Sequence, residues 1–434
     1  MHIVRIIKKK RDGLALSREE IRQFITGMVK GHIPDYQTAA LLMAIYFKGM
    51  DKQETIALTE AMSETGTKLQ FDPASRPVLD KHSTGGVGDK TTLVVAPLVA
   101  ACGVHVAKLT GRGLAHTGGT LDKLGVFPGI NIELSKQEFN RVLGTTGLVI
   151  SGSTRSIAPG DRKLYSLRNL SGTVNCIPLI ASSIMSKKLA GGADALVLDV
   201  KTGSGSVITD PRAARTLARL MVDIGKSLNL MVKAYLTNMD SPLGKAVGMA
   251  PEVKEAVETL EGNGPADLVE LCLEIGSEML ILGRKTSSKE EAKKCLSEKI
   301  SDGSGLSKLA EMVAAQNGDT KLIFNTSLLP PPRFKLDIYC QQSGYIDRIN
   351  TKQVGYAAMF AGAGRQSHFE TIDPAAGLLF YRKPGDQVSP KKILTTICAS
   401  SEERAMKAKE YLENAVIYSD RPPELIPLIL DKIE

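Results

Sequence analysis

The chain has 434 residues, 43% hydrophobic and 24% charged, with a net charge of +8 from 55 basic and 47 acidic side chains, which suits a folded protein of two or three domains. No run of 18 or more apolar residues suggests a spanning helix, the basic segment Met1–Arg11 lacks the apolar stretch of a secretory signal, and six scattered cysteines without CxxC spacing argue against a metal cluster or disulfide framework and for a reduced, cytoplasmic setting. With no tryptophan, 5% aromatics and one short basic run, Lys8–Arg11, nucleic acid is a poor partner, and the positive balance is read as serving a small anionic ligand.

Residues 17–67 read as helices. Ser17 with Glu20 and Asp51 with Glu54 have capping-box spacing, and Tyr36–Tyr46 is an apolar-rich segment suited to helix-on-helix packing. Pro73 and Pro77 mark a connector. Residues 79–125 are glycine-rich, with apolar runs Leu93–Val99 and Val104–Leu109 that suit an α/β layer. Ser135 with Glu138 starts another helix, and 163–192 look helical. Ala195–Val200 reads as a buried strand feeding a glycine loop. Helical patterns dominate 211–320, Leu329–Pro332 is a breaker, and 335–434 alternate short strands and turns.

Three segments carry chemistry. Asp80–Thr92 contains the run Ser83-Thr84-Gly85-Gly86-Val87-Gly88, with Lys81, His82 and Thr92 in the same stretch. Glycines let backbone amides approach an anion, and hydroxyls and a lysine add donors and charge. A lone glycine loop is usually a tight turn, but the added cations and hydroxyls favour anion binding. The Walker A spacing is absent, so triphosphate hydrolysis is not indicated. Lys108–Leu124 repeats the combination, and the two loops are placed to converge on one phosphate at the end of a sheet. The third segment joins Arg168 to Ile180–Lys188, where Ser183 and Lys187 share a helix face. Alone, these would be solvated charges; together they suit the carbonyls and ring N–H of a planar polar ring.

These segments resemble the thymidine phosphorylase and pyrimidine-nucleoside phosphorylase family along most of the chain. The most specific pieces are Lys81–Asp89, Gly111–Leu124 with its His116-Thr117-Gly118-Gly119-Thr120-Leu121-Asp122 core, and Ser182–Lys188 followed by Ala193–Gly205. The resemblance implies a small helical domain (1–70, with 163–193 returning to it), a larger α/β domain of the nucleoside phosphorylase and phosphoribosyltransferase type (75–160 and 194–330), and a C-terminal α+β barrel-like subdomain (335–434). It implies phosphate contacts from Lys81, His82, Ser83, Thr92, Lys108, Leu109, Thr110 and Thr120, base contacts from Arg168, Ser183 and Lys187, catalysis by His82, Arg168 and Lys187, and a homodimer. It also implies a structural potassium ion at Gly88, Lys90, Leu243, Ala246 and Glu255, although Lys90 stands where potassium-binding members carry threonine. Thr110, Gly125, Ser153, Asn169, Cys176 and Met249 depart from the family pattern without removing an assigned contact.

The implied reaction is phosphorolysis of uridine, thymidine and deoxyuridine to free base and an α-(deoxy)ribose 1-phosphate. Lys108 before the Gly111-Arg112-Gly113 loop, where thymidine phosphorylases usually have methionine, favours this broad specificity over a deoxynucleoside-restricted enzyme. A related phosphoribosyltransferase would need a magnesium-bound pyrophosphate site, which the set Arg168, Ser183 and Lys187 argues against. Gly377–Val388 resembles a lipoyl- or biotinyl-type barrel segment, but no Met-Lys-Met or Asp-Lys-Ala acceptor hairpin accompanies it.

Overall fold

The computed structural model describes residues 2–71, 77–113, 118–152, 157–365 and 370–434. Pro73 of the connector, His116 and Thr117 of the signature, and Ser153 lie outside the described residues. The chain opens with helices α1 (Ile3–Arg11), α2 (Arg18–Val29), α3 (Asp35–Lys48) and α4 (Lys52–Ser63). Ser17/Glu20 and Asp51/Glu54 form reciprocal capping boxes, satisfying amides that a helix start leaves unpaired. Glu54 does more than cap. Its carboxylate also accepts from buried Lys10 at 2.7 Å and from the Leu16 amide at 2.8 Å, tying α4 to α1 and to the chain entering α2.

Next come β1 (Val78–Ser83), α5 (Thr91–Ala101), β2 (His105–Thr110), α6 (Thr120–Leu124), α7 (Lys136–Thr146), which starts on the Ser135/Glu138 capping box, and β3 (Leu148–Gly152). Helices α8 (Pro159–Ser171) and α9 (Ile177–Ala190) then go back to the first bundle, where Leu164, Leu167 and Leu179 share a core with Phe24, Met28, Leu41, Ile45 and Leu58. The middle of the chain contains β4 (Ala195–Thr202), α10 (Pro211–Ser227), β5 (Met231–Asn238), β6 (Ala246–Gly248), α11 (Ala250–Leu260), α12 (Ala266–Leu282), α13 (Lys289–Ser301), α14 (Ser304–Ala315) and α15 (Lys321–Phe324). The last part contains β7 (Phe334–Tyr339), β8 (Gly344–Ile349), α16 (Thr351–Ala358), β9 (Gly377–Phe380), β10 (Gln387–Val388), β11 (Ile393–Ala399), α17 (Glu402–Glu413), β12 (Val416–Ser419) and β13 (Ile429–Ile433).

The main sheet has the order β13-β5-β4-β1-β2-β3, parallel except for β13. A parallel sheet covered on both faces needs apolar strands, and all eight residues of β4 are buried. Ala195 and Val197 pack with Leu98 of α5, Ile275 of α12 and Val313 of α14. Leu196, Leu198 and Val200 face the opposite layer, with Met185 of α9 and Leu217 and Met221 of α10. Helix α9 therefore belongs to two units: its start packs in the bundle and its end lies against the sheet.

Two features differ from the pattern of the sequence. Strand β5 interrupts the helical stretch 211–320; Asn229, at φ 59°, turns the chain out of α10 and into it. Segment 335–434 contains α16 and α17 beside its strands, started by the side chains of Asn350 and Ser401, which accept from the Gln353 and Arg404 amides. Nor is that segment self-contained. Strand β6 pairs with β9 in the sheet β6-β9-β11-β7, and β13 leaves the region to pair antiparallel with β5. An uncovered β5 would expose a row of backbone donors and acceptors.

Candidate active site

Side chains alternate along a strand, so Lys81 and Ser83 of β1 point to one face and Asp80 and His82 to the other. Lys81 is buried; its Nζ donates to Thr91 Oγ1 at 2.5 Å and lies 3.5 Å from Asp199 Oδ2 on β4. Register pairs Leu79 with Val106, which sets Lys108, Leu109 and Thr110 level with Lys81, His82 and Ser83. Buried Lys108 donates to the Lys81 carbonyl and sits 3.9 Å from Asp80 Oδ1. The glycine loop after β1 leads into α5. Thr91 and buried Thr92 form the first turn of that helix, where unpaired amides and the helix dipole favour an anion. Thr120 opens α6 at the end of the second loop.

The charges beneath these loops perturb one another. Burial, reinforced by Lys188, Lys108, Lys187 and Lys81, holds the His82 imidazole well below its ordinary value of 6.5, so it is neutral at pH 7. Burial likewise pushes Lys108 well below 10.5, with Lys188 adding to the effect and Asp80 opposing it. For Asp89, burial favours the neutral acid, but Lys81, Lys201 and Lys123 overcome it and keep the carboxylate ionised.

On the bundle side, Lys187 of α9 donates to Asp161 Oδ2 at 2.5 Å, to the Ser183 carbonyl at 2.6 Å and to Ser183 Oγ at 3.1 Å. The one-turn spacing thus brings these two side chains together. Arg168 is buried, with Nη1 on the Leu179 carbonyl at 3.0 Å and Nη2 on the Val174 carbonyl at 2.7 Å. Its Nε has no hydrogen-bond partner among the described residues. A guanidinium has five N–H donors, so capacity remains for a further acceptor.

Gly88, Lys90, Leu243, Ala246 and Glu255 also converge. Lys90 is buried, and its Nζ donates to the Leu243 and Ala246 carbonyls, each at 2.8 Å, and to Glu255 Oε2. Gly88 has φ 77°, and a Cβ there would lie 2.6 Å from the Leu243 carbonyl oxygen, so only glycine fits. The Gly88 carbonyl accepts the Lys90 amide at 3.0 Å.

Several participants carry no local signal. Lys188, next to Lys187, bonds Asp80 Oδ2 at 2.6 Å and the Leu109 carbonyl at 2.7 Å, clamping α9 to the ends of β1 and β2. Lys201 pairs with Asp199 at 2.8 Å, and Lys123 with Glu252 at 2.7 Å. Asp122 accepts from the Gly113 amide at 2.6 Å, from Arg112 at 3.3 Å and from Arg365 at 3.1 Å, linking the signature loop to the C-terminal part. The available hint was strand alternation, which places Asp80 on the same face as His82.

Comparisons with known proteins place the chain in a family. Residues 75–306 match the α/β domain of the glycosyl transferase family and 4–66 its helical bundle domain, which sets the class. The crystal structure of anthranilate phosphoribosyltransferase from Thermus thermophilus has a similar fold, with a TM-score of 0.57 at 21% identity over 71% of this chain and 98% of that one. Residues 345–419 match the pyrimidine nucleoside phosphorylase C-terminal domain. The pyrimidine-nucleoside phosphorylase of Geobacillus stearothermophilus is 47% identical over 433 residues, covering 100% of both chains. That of Staphylococcus haemolyticus is 46% identical over 402 residues, 93% of each. The chain belongs to the pyrimidine-nucleoside phosphorylase family.

Proposed function

We propose that this protein catalyses phosphorolysis of pyrimidine nucleosides, uridine, thymidine and deoxyuridine among them, giving free base and an α-sugar 1-phosphate. The observation that supports it best is the parallel register of β1 and β2, with Leu79 opposite Val106, which carries Lys81-His82-Ser83 level with Lys108-Leu109-Thr110, beside a helix start and under α9. In this reading phosphate lies across those strand ends, held by Lys81, His82, Ser83, Thr92, Lys108, Leu109, Thr110, Thr120 and loop amides. A phosphate oxygen attacks the anomeric carbon from the face opposite the base. The C–N bond breaks, its electron pair goes to the base, and the new C–O bond has inverted configuration.

Arg168 and Lys187 stabilise the negative charge that develops on the departing ring, and a neutral His82 N–H donates to a ring carbonyl. No protein nucleophile is needed. Lys188 ties the base-bearing helix to the phosphate strands, so its ion pair with Asp80 lies where the two halves close on each other. The test is ³¹P NMR of the products from uridine or thymidine with phosphate. A sugar 1-phosphate resonance is expected, and its absence while base is released would sink the proposal.

A cytoplasmic homodimer completes the reading. Among the described residues no helix is long and apolar enough to cross a membrane. On α3, Tyr36, Ala40 and Phe47 are exposed and Met43 is half-buried, at helical spacing on one side, while Leu41, Leu42 and Ile45 fill the bundle core. This apolar stripe suits a second copy. Light scattering at micromolar concentration should give twice the chain mass, and a monomer mass would refute the dimer.

A further inference from the structure

The five residues that the family resemblance assigns to potassium do not fit that ion in this chain, because a side chain already fills the place. Three oxygens converge there: the Leu243 and Ala246 carbonyls and a Glu255 carboxylate oxygen. Two neutral carbonyls and one carboxylate suit a monovalent cation. The Lys90 ammonium has three N–H donors, and each meets one of these oxygens. An ion bridging the same oxygens would overlap Nζ, and two cations sharing one carboxylate would repel each other. The cage is also tight. At Gly244, φ 68°, a Cβ would come 2.2 Å from Glu255 Oε2 and 2.9 Å from Lys90 Nζ.

The remaining acceptors are satisfied without a metal. Glu255 Oε1 accepts from the Lys245 amide at 2.8 Å and the Ala246 amide at 3.1 Å. We propose that the Lys90 ammonium is a tethered replacement for the monovalent cation, making the fold of this site independent of potassium.

The position gives the replacement a task. Lys90 precedes α5, whose first turn borders the phosphate loop, while Ala246 begins β6, which pairs with β9 of the C-terminal part. Lys90 therefore fastens the phosphate loop to the strand that carries the C-terminal sheet. Lys383 holds the same 242–246 loop from outside, bonding the Pro242 carbonyl and Asp267. A bound ion holds such a junction only to the extent that its concentration exceeds its dissociation constant; a lysine does so at any salt composition.

Thermal unfolding of the full-length protein in choline chloride and in potassium chloride at equal ionic strength tests this, because matched ionic strength removes screening differences. The parent should show the same Tm in both salts. Lys90→Thr removes the ammonium and leaves the three oxygens facing a space. Its Tm should fall by several degrees in choline chloride and rise saturably with potassium chloride. Lys90→Met fills the space without charge and should be destabilised in both salts. A saturable rise of the parent Tm with potassium, or a Lys90→Thr variant as stable as the parent in choline chloride, would overturn the proposal. Should Lys90→Thr fail to fold, rubidium-soaked crystals of the parent decide the matter: anomalous signal among Leu243, Ala246 and Glu255 refutes it, and its absence there supports it.

Discussion

Replacing Lys108 by methionine isolates one buried cation. The two side chains have similar length, so the space is kept while the charge is lost. Lys108 is 2% exposed and donates to the Lys81 carbonyl, and Asp80 keeps its bond to Lys188 at 2.6 Å when Lys108 is gone. Two unit charges about 4 Å apart interact by ~4 kcal/mol at an effective dielectric near 20. Burial disfavours the charged form of Lys108, and part of that attraction is spent on keeping it protonated. A charged hydrogen bond, about 1.5–3 kcal/mol, is therefore the better guide. The kcat/KM for phosphate, measured at saturating uridine, should fall roughly ten- to hundredfold.

The pH dependence has a definite sign. Phosphate favours protonated Lys108, so its binding is strong below the depressed pKa of that lysine and weakens as pH rises through it, before the ordinary lysine value of 10.5 is reached. Lys108→Met should lose this alkaline limb. It should also shift preference toward deoxyuridine, because a 2′-hydroxyl would meet an apolar wall. Phosphate kinetics unchanged in a folded Lys108→Met would refute the assignment of Lys108 to the phosphate cradle.

Other perturbations follow the same reasoning. Arg168→Ala and Lys187→Ala should each lower kcat/KM for nucleoside more than tenfold, about 1.4 kcal/mol or more; parent-like kinetics in both would place the base elsewhere. Because His82 is held neutral in the fold while the unfolded chain titrates near 6.5, acid adds protons preferentially to the unfolded state. Stability should therefore fall as pH drops below that value, and urea titrations should show a shallower acid loss in His82→Gln.

Local signals and distant pairings were not equally legible in the sequence. The capping boxes at Ser17, Asp51 and Ser135 are spelled out within four residues, as is the Ser183/Lys187 helix face, and both appear in the fold. The loops after β1 and β2 were visible because glycines, hydroxyls and lysines follow apolar runs. Strand β5 was hidden by strong helices on either side, and α17 by the short strands around it, although Ser401 is a good helix start. The charged framework was least legible. Asp80 and Lys188 are 108 residues apart, and Lys90 and Glu255 are 165 apart, so no spacing rule connects them. Chain topology brings them together; the family resemblance groups Lys90 with Glu255, but the ion pair of Lys188 with Asp80 has no such signal.

Phosphate, not water, cleaves the nucleoside. The most direct measurement is the rate of uracil release from uridine in phosphate-free buffer and again with millimolar phosphate. Release that depends on phosphate and is negligible without it is the predicted result. Equal rates in the two buffers would make the protein a hydrolase and refute phosphorolysis.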